Sequence, residues 1–158
     1  MLFQRVNRDD PEKVFIVVKN SYSSASLTNG QAVCWDWTSE ADGVSVSIPT
    51  ATENVCGGTD FAGVVAETIV HNDYGLIQAY GYHSAAKVRS MTASGHVYHE
   101  SHQVVAAGSR LVAGVTAAFV LEAVTVAETA QVLESAGFSF AAVSTFTSAA
   151  TAIFIKAL

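Results

Sequence analysis

The sequence predicts an all-β fold, a compact antiparallel β-sandwich or barrel with an extended N-terminal arm. Three observations predict it. First, roughly ten short apolar or alternating runs are separated by Gly, Ser or Asn turns. Second, strands do not alternate with helical stretches of about 10–15 residues, which argues against a parallel α/β sheet. Third, half of the 158 residues are hydrophobic, yet no apolar run reaches the ~18 residues of a membrane-crossing helix. A chain of this length buries roughly 70% of the surface its unfolded form exposes, so it folds without a metal or disulfide staple. The expected organisation is an arm over residues 1–13 and one β domain over 14–158.

The elements follow in order. Residues 1–11 are mixed and polar apart from Leu2, Phe3 and Val6, and Pro11 disfavours helix at Asp10. Such a terminus frays or orders on a partner. Residues 14–19, VFIVVK, are β-branched and aromatic and too short for a helix. A polar loop over 20–30 is long for a compact domain. In QAVCWDW, residues 31–37, Ala32, Cys34 and Asp36 face one way and Val33, Trp35 and Trp37 the other. The two tryptophans are expected to carry core packing. Val44, Val46 and Ile48 alternate with Ser45 and Ser47, a half-buried strand stopped by Pro49.

Residues 61–81, FAGVVAETIVHNDYGLIQAYG, read as a β-hairpin: two apolar runs joined by the polar turn His71-Asn72-Asp73. A further strand is expected over 82–92, with Lys87 and Arg89 on its solvent face and Val88 opposite. Strands are also expected within 110–113, 117–123 and 151–157. Residues 125–137 are ambiguous. Thr125 with Glu128 fits a capping box and Gly137 a helix C-cap, but Phe138 and Phe140 continue a β-like pattern, and a strand over about 130–135 is preferred.

The net charge is −6 and only 14% of residues are charged. A nucleic-acid binder is usually basic, so direct nucleic-acid contact is not expected. A sparsely charged surface fits either cover by a partner or a plain Ser/Thr-coated β-protein, and composition does not choose between them. Cys34 and Cys56 lack CxxC spacing. Free buried thiols are expected, with a single bridge as the alternative. The opening residues lack the apolar core of a signal peptide, so cytoplasmic synthesis without export is expected, with no membrane contact.

Chemistry-bearing patterns are sparse. His96, His99 and His102 stand three apart with Glu100 among them. On a strand, steps of three alternate faces, and HExxH is absent. A solvated turn is the better reading than a zinc site. GxSxG, GxxxxGK[ST] and GxGxxG are absent. No catalytic residue, metal or cofactor is therefore expected. Arg5, Arg8 and Lys13 form a weak basic cluster broken by Asp9, Asp10 and Glu12.

One pattern points further. Phe61-Ala62-Gly63-Val64, then Ala66 and Ile69, then Tyr74-Gly75-Leu76-Ile77-Gln78-Ala79-Tyr80-Gly81 resembles small capsid decoration (cement) proteins of tailed bacteriophages. Gly30-Gln31-Ala32-Val33-Cys34-Trp35-Asp36, Gly43-Val44 leading to Pro49, and Ala152-Ile153-Phe154-Ile155-Lys156-Ala157-Leu158 are similar to flanking patches of that family, in the same order. Residues 95–108 have no counterpart there.

The resemblance implies a β-sandwich or barrel of jelly-roll or β-tulip-like form. It also implies a structural virion protein, not an enzyme, made in the host cytoplasm. Such a protein binds the outside of an assembled capsid, often as a homotrimer, and staples neighbouring copies of the major capsid protein. The expected capsid contacts are Leu2, Phe3, Arg5 and Arg8. Phe61, Gly63, Val64, Tyr74, Gly75, Gln78, Tyr80 and Gly81 are expected as a structural hairpin. The alternative function is a carbohydrate-binding or adhesion module using Trp35, Trp37, Tyr80 and Tyr82. A small β-fold enzyme using the histidine patch is a third.

Overall fold

The computed structural model describes residues 12–22, 25–37, 43–47, 61–89, 105–113, 121–123, 136–143 and 149–157. All regular structure among them is strand: β1 (Lys13–Asn20), β2 (Ala32–Trp35), β3 (Ser45–Ser47), β4 (Phe61–Val65), β5 (Tyr74–Arg89), β6 (Arg110–Ala113), β7 (Leu121–Ala123), β8 (Gly137–Ser139) and β9 (Ala149–Lys156). They form one nine-stranded sheet in the order β1-β3-β2-β4-β5-β7-β6-β8-β9, with added pairings β1–β5 and β5–β9. The sheet is mixed. β1–β3 and β5–β7 pair parallel and the other pairings are antiparallel, which corrects the expectation of a wholly antiparallel fold. Each parallel pair joins strands that are not consecutive, β1 with β3 and β5 with β7, so the chain has room to return in the same direction before it pairs.

The residues expected as the second hairpin strand and the strand after it are one 16-residue strand, β5. At about 3.3 Å per residue it spans roughly 50 Å. Its first half pairs with β1 and β4, and its second half with β9 and β7. Gly81 is the hinge between the halves, opposite both Lys13 and Ile155. Its φ of +100° suits only glycine, and an added Cβ would strike the Glu12 carbonyl. Two circuits of pairing therefore return to β5. One runs β1–β3–β2–β4–β5 and back to β1. The other runs β5–β7–β6–β8–β9 and back to β5.

Two apolar clusters match the two circuits. Val18, Leu27, Val33, Val46, Ala62, Val65, Ile69 and Ile77 form one. The other joins Ala86, Val88, Leu111, Leu121, Ile153 and Ile155 to Ala32, Cys34, Phe61 and Val64. Strands β2 and β4 thus send alternate residues into different clusters. This explains why FAGVV is apolar without alternation: every residue of β4 is buried, as in strands covered on both faces. The alternation expected for QAVCWDW holds, and both faces meet core: Ala32 and Cys34 enter one cluster and Val33 the other. Trp35 packs on the first cluster, whereas Trp37 is exposed. Ser45 is buried although its alternation placed it outward; β3 lies between β1 and β2.

The hairpin is in register about residue 71: Val64 faces Gln78 and Val65 faces Ile77. The Ala66 N–H donates to the Leu76 carbonyl at 3.0 Å, and the Leu76 N–H to Glu67 Oε1 at 2.9 Å. The Asp73 N–H closes on the Val70 carbonyl at 3.0 Å, with Asn72 at φ 65°. Asparagine tolerates that left-handed position. The expected strands over 14–19, 110–113 and 151–157 are present as β1, β6 and β9. Lys13, assigned to the arm, already belongs to β1. Gly137 opens a strand, not a helix cap.

Cys34 is disulfide-bonded, which overturns the expectation of free thiols. Cys56 is the other cysteine of the sequence. Sequence distance misleads here because strand pairing shortens it: Phe61, shortly after Cys56, lies opposite Cys34. Cys56, residues 1–11, the histidines at 96, 99 and 102, and the ambiguous stretch 125–135 fall outside the described residues.

Candidate interaction surface

The outer face of β5, β9 and β8 gathers five aromatic side chains. Along β9, Thr151, Ile153 and Ile155 point inward, which leaves Phe154 and Lys156 on the other side. Cross-strand register then sets Tyr82 opposite Phe154, and Phe154 opposite Phe138. Tyr80 meets Phe154 edge-on, with ring centroids 5.1 Å apart and planes at 82°. Phe140 meets Tyr82 at 5.9 Å and 43°. Edge-to-face and tilted pairs at these distances suit the aromatic quadrupole. Tyr80, Tyr82 and Phe154 are half-buried, but Phe138 is 38% and Phe140 54% exposed. An aromatic cluster of this extent left in water is the kind of surface that a partner covers.

Polar groups beneath hold the platform in place. Gln78 is buried opposite Val64, and its Nε2 donates to the Tyr80 carbonyl at 3.1 Å and the Tyr82 carbonyl at 3.0 Å. It bridges the two carbonyls on either side of Gly81. His83 lies on the inner side, opposite Ile153, and is buried. The Ala85 N–H donates to His83 Nδ1 at 3.2 Å, so the neutral ring carries its proton on Nε2. Burial, and then the charge of Lys13, push its pKa below 6.5. The imidazole is therefore neutral at pH 7.

The sequence-chosen residues fall into separate places. Phe61, Gly63 and Val64 lie on β4, and Tyr74, Gly75, Gln78, Tyr80 and Gly81 on β5. The four aromatics of the sugar-binding alternative divide into different ring contacts. Trp35 meets Trp37 at 6.5 Å, while Tyr80 and Tyr82 join Phe154 and Phe140. Leu2, Phe3, Arg5 and Arg8 lie outside the described residues. Sequence reasoning missed the platform as a unit. Phe138 and Phe140 share one strand face and Phe154 belongs to a separate run. Only the β8–β9–β5 register brings them together.

Among the described residues no group of three or more His, Cys, Asp or Glu is placed to hold a metal, and no helix is long and apolar enough to cross a membrane. Neither the protein-family models nor the curated proteins match this chain.

Proposed function

We propose that this chain is a structural virion protein that binds the outside of an assembled phage capsid and cements neighbouring major-capsid subunits. The observation that carries the reading is the aromatic platform of Tyr80, Tyr82, Phe138, Phe140 and Phe154, with Phe138 and Phe140 exposed and the other three half-buried, on a chain with only 14% charged residues. The ordered patches of resemblance to decoration proteins supply the partner. In this reading the two pairing circuits are two small, partly open barrels fused along β5, with the platform on one of them. A homotrimer bridges several shell subunits at once, so modest contacts add to a slow off-rate. The acidic balance keeps free copies apart before they dock.

The test is made on purified particles. The chain is expected there at a fixed ratio to the major capsid protein, and particles lacking it release DNA at a lower temperature. Phe138→Ser with Phe140→Ser, both at exposed positions, is expected to leave the fold intact and reduce retention on particles. Absence of the chain from particles refutes the reading.

Carbohydrate binding keeps one supporting observation, Trp37, which is 55% exposed beside Trp35. Quenching of tryptophan fluorescence by sugars, lost in Trp37→Ala, would favour it.

A further inference from the structure

We propose that the aromatic platform is where a second copy of this chain docks, through its first pairing circuit. A repeat runs through the topology. The first circuit closes in the order β1-β3-β2-β4-β5, with β1–β3 parallel and the other pairings antiparallel. The second closes in the order β5-β7-β6-β8-β9, with β5–β7 parallel and the other pairings antiparallel. This is the same path with each strand number raised by four. The bonds between strands repeat as well. Leu27 and Ile69 donate to each other's carbonyls, and so do Val105 and Val143. The Gly30 N–H donates to the Val65 carbonyl at 2.9 Å and the Gly108 N–H to the Ser139 carbonyl at 2.7 Å, with φ at +85° and +84°. The Ala66 N–H meets the Leu76 carbonyl as the Phe140 N–H meets the Ala152 carbonyl. Gly63 stands opposite Val33, and Gly137 opposite Leu111, each glycine preceded by alanine. The two circuits are thus two like units that share β5, stacked as the units of a repeat protein are.

The repeat says what belongs on the platform. In the first unit Ala32 and Cys34 of β2, with Phe61 and Val64 of β4, point away from their own cluster into that of the second unit. The second unit is therefore stacked on this face of the first. The matching positions in the second unit follow from the shared bonds. Val64, just after Gly63, corresponds to Phe138, just after Gly137. Gln78, opposite Val64, corresponds to Phe154, opposite Phe138. Ala32, two residues past Gly30, corresponds to Arg110, two past Gly108. Ala32, Val64 and Gln78 are buried, whereas Arg110 and Phe138 are exposed and Phe154 is half-buried. The platform is thus the stacking face of the second unit, apolar like its counterpart but still meeting water. Its occupant is the next unit of the series, which a second copy supplies. Charge agrees with this: the charged residues paired directly with the platform are Arg110, opposite Phe138, and Lys156, opposite Tyr80, both cations, while the whole chain carries −6. A platform that meets a different face of the next copy makes a heterologous, head-to-tail contact. Docking of a second copy does not rest on the capsid reading, although both use the platform.

The test is sedimentation velocity of the full chain by itself, at concentrations up to millimolar. Reversible self-association is expected. Phe138→Ser with Phe140→Ser is expected to weaken it at least about tenfold, with an unchanged urea midpoint to show that the fold is intact. Arg110→Glu is expected to weaken it too, more in low salt than in high. Mixing reads the direction of the contact: the double variant, fluorescently labelled and at trace concentration, is added to an excess of the unaltered chain. Its first unit can still take an unaltered platform, so it is expected to sediment with the assemblies. A chain that stays monomeric overturns the inference and leaves the platform to another protein. Association that the double variant keeps in full also overturns it. So does exclusion of the labelled variant from the assemblies, which would make the contact platform on platform. Self-association needs no capsid and retention on particles is measured separately, so either reading can fail while the other stands.

Discussion

Gly81→Ala is expected to destabilise the protein by about 3–4 kcal/mol. At φ +100° an L-residue costs about 1–2 kcal/mol in backbone strain. A second cost is steric. The new Cβ would fall on the Glu12 carbonyl, a backbone atom that moves only if the start of β1 moves. That shift loosens the pairing of Lys13 with Gly81 and Val14 with Tyr80, about two ladder hydrogen bonds at roughly 1 kcal/mol each. Gly108→Ala isolates the first cost, because Gly108 has φ +84° and nothing within 4 Å of its added Cβ. The assay is urea unfolding followed by tryptophan fluorescence, with the two variants compared at a common slope. If Gly81→Ala falls within about 0.5 kcal/mol of Gly108→Ala, the close approach of β1 to Gly81 does not govern stability, and β5 is not held there as described.

Other outcomes follow from the cores, the bridge and His83. Ile77→Ala and Ile153→Ala each remove a fully buried side chain, one from each cluster, and are expected to cost about 2–5 kcal/mol apiece in denaturant unfolding. Because the two residues sit in different clusters, the double variant is expected to be additive within about 0.5 kcal/mol. In guanidinium without reductant, thiol titration is expected to find no free cysteine, and reduction is expected to lower stability by about 2–4 kcal/mol. The folded pKa of His83 lies below 6.5, so the unfolded chain takes up the proton first. Its neutral form contributes fully above about pH 6.5, and stability falls with pH from there down to the lowered folded value. His83→Gln is expected to flatten the fall in melting temperature between about pH 7 and 5.

Much of the strand content was legible in the chain. VFIVVK, the hairpin over 61–81 and the terminal TAIFIKA each carry β-branched or apolar runs of strand length, and each is strand in the fold. The place of the hairpin turn was legible too, because a polar stretch separates two apolar runs; its register was not. The joining of 74–81 and 82–89 into one strand was not. Gly81 reads as a break in sequence, and only β1 on one flank and β9 on the other make it a continuous hinge. The inward serine of β3 and the bonded Cys34 were hidden for a related reason: burial of a small polar or thiol side chain depends on neighbours distant in sequence.

The sequence by itself determined that this is a β protein, sparsely charged, centred on the run from Phe61 to Gly81. Those properties follow from local sterics and composition, which every residue carries with it. The tertiary structure decided which faces became core and which stayed in water. FAGVV is buried on both sides because β2 and β5 flank it and a second cluster lies beneath. Tyr82, Phe154 and Phe138 form one surface because three strands from separate parts of the chain align them in register. Strand pairing is a long-range choice, so the platform does not exist until it is made.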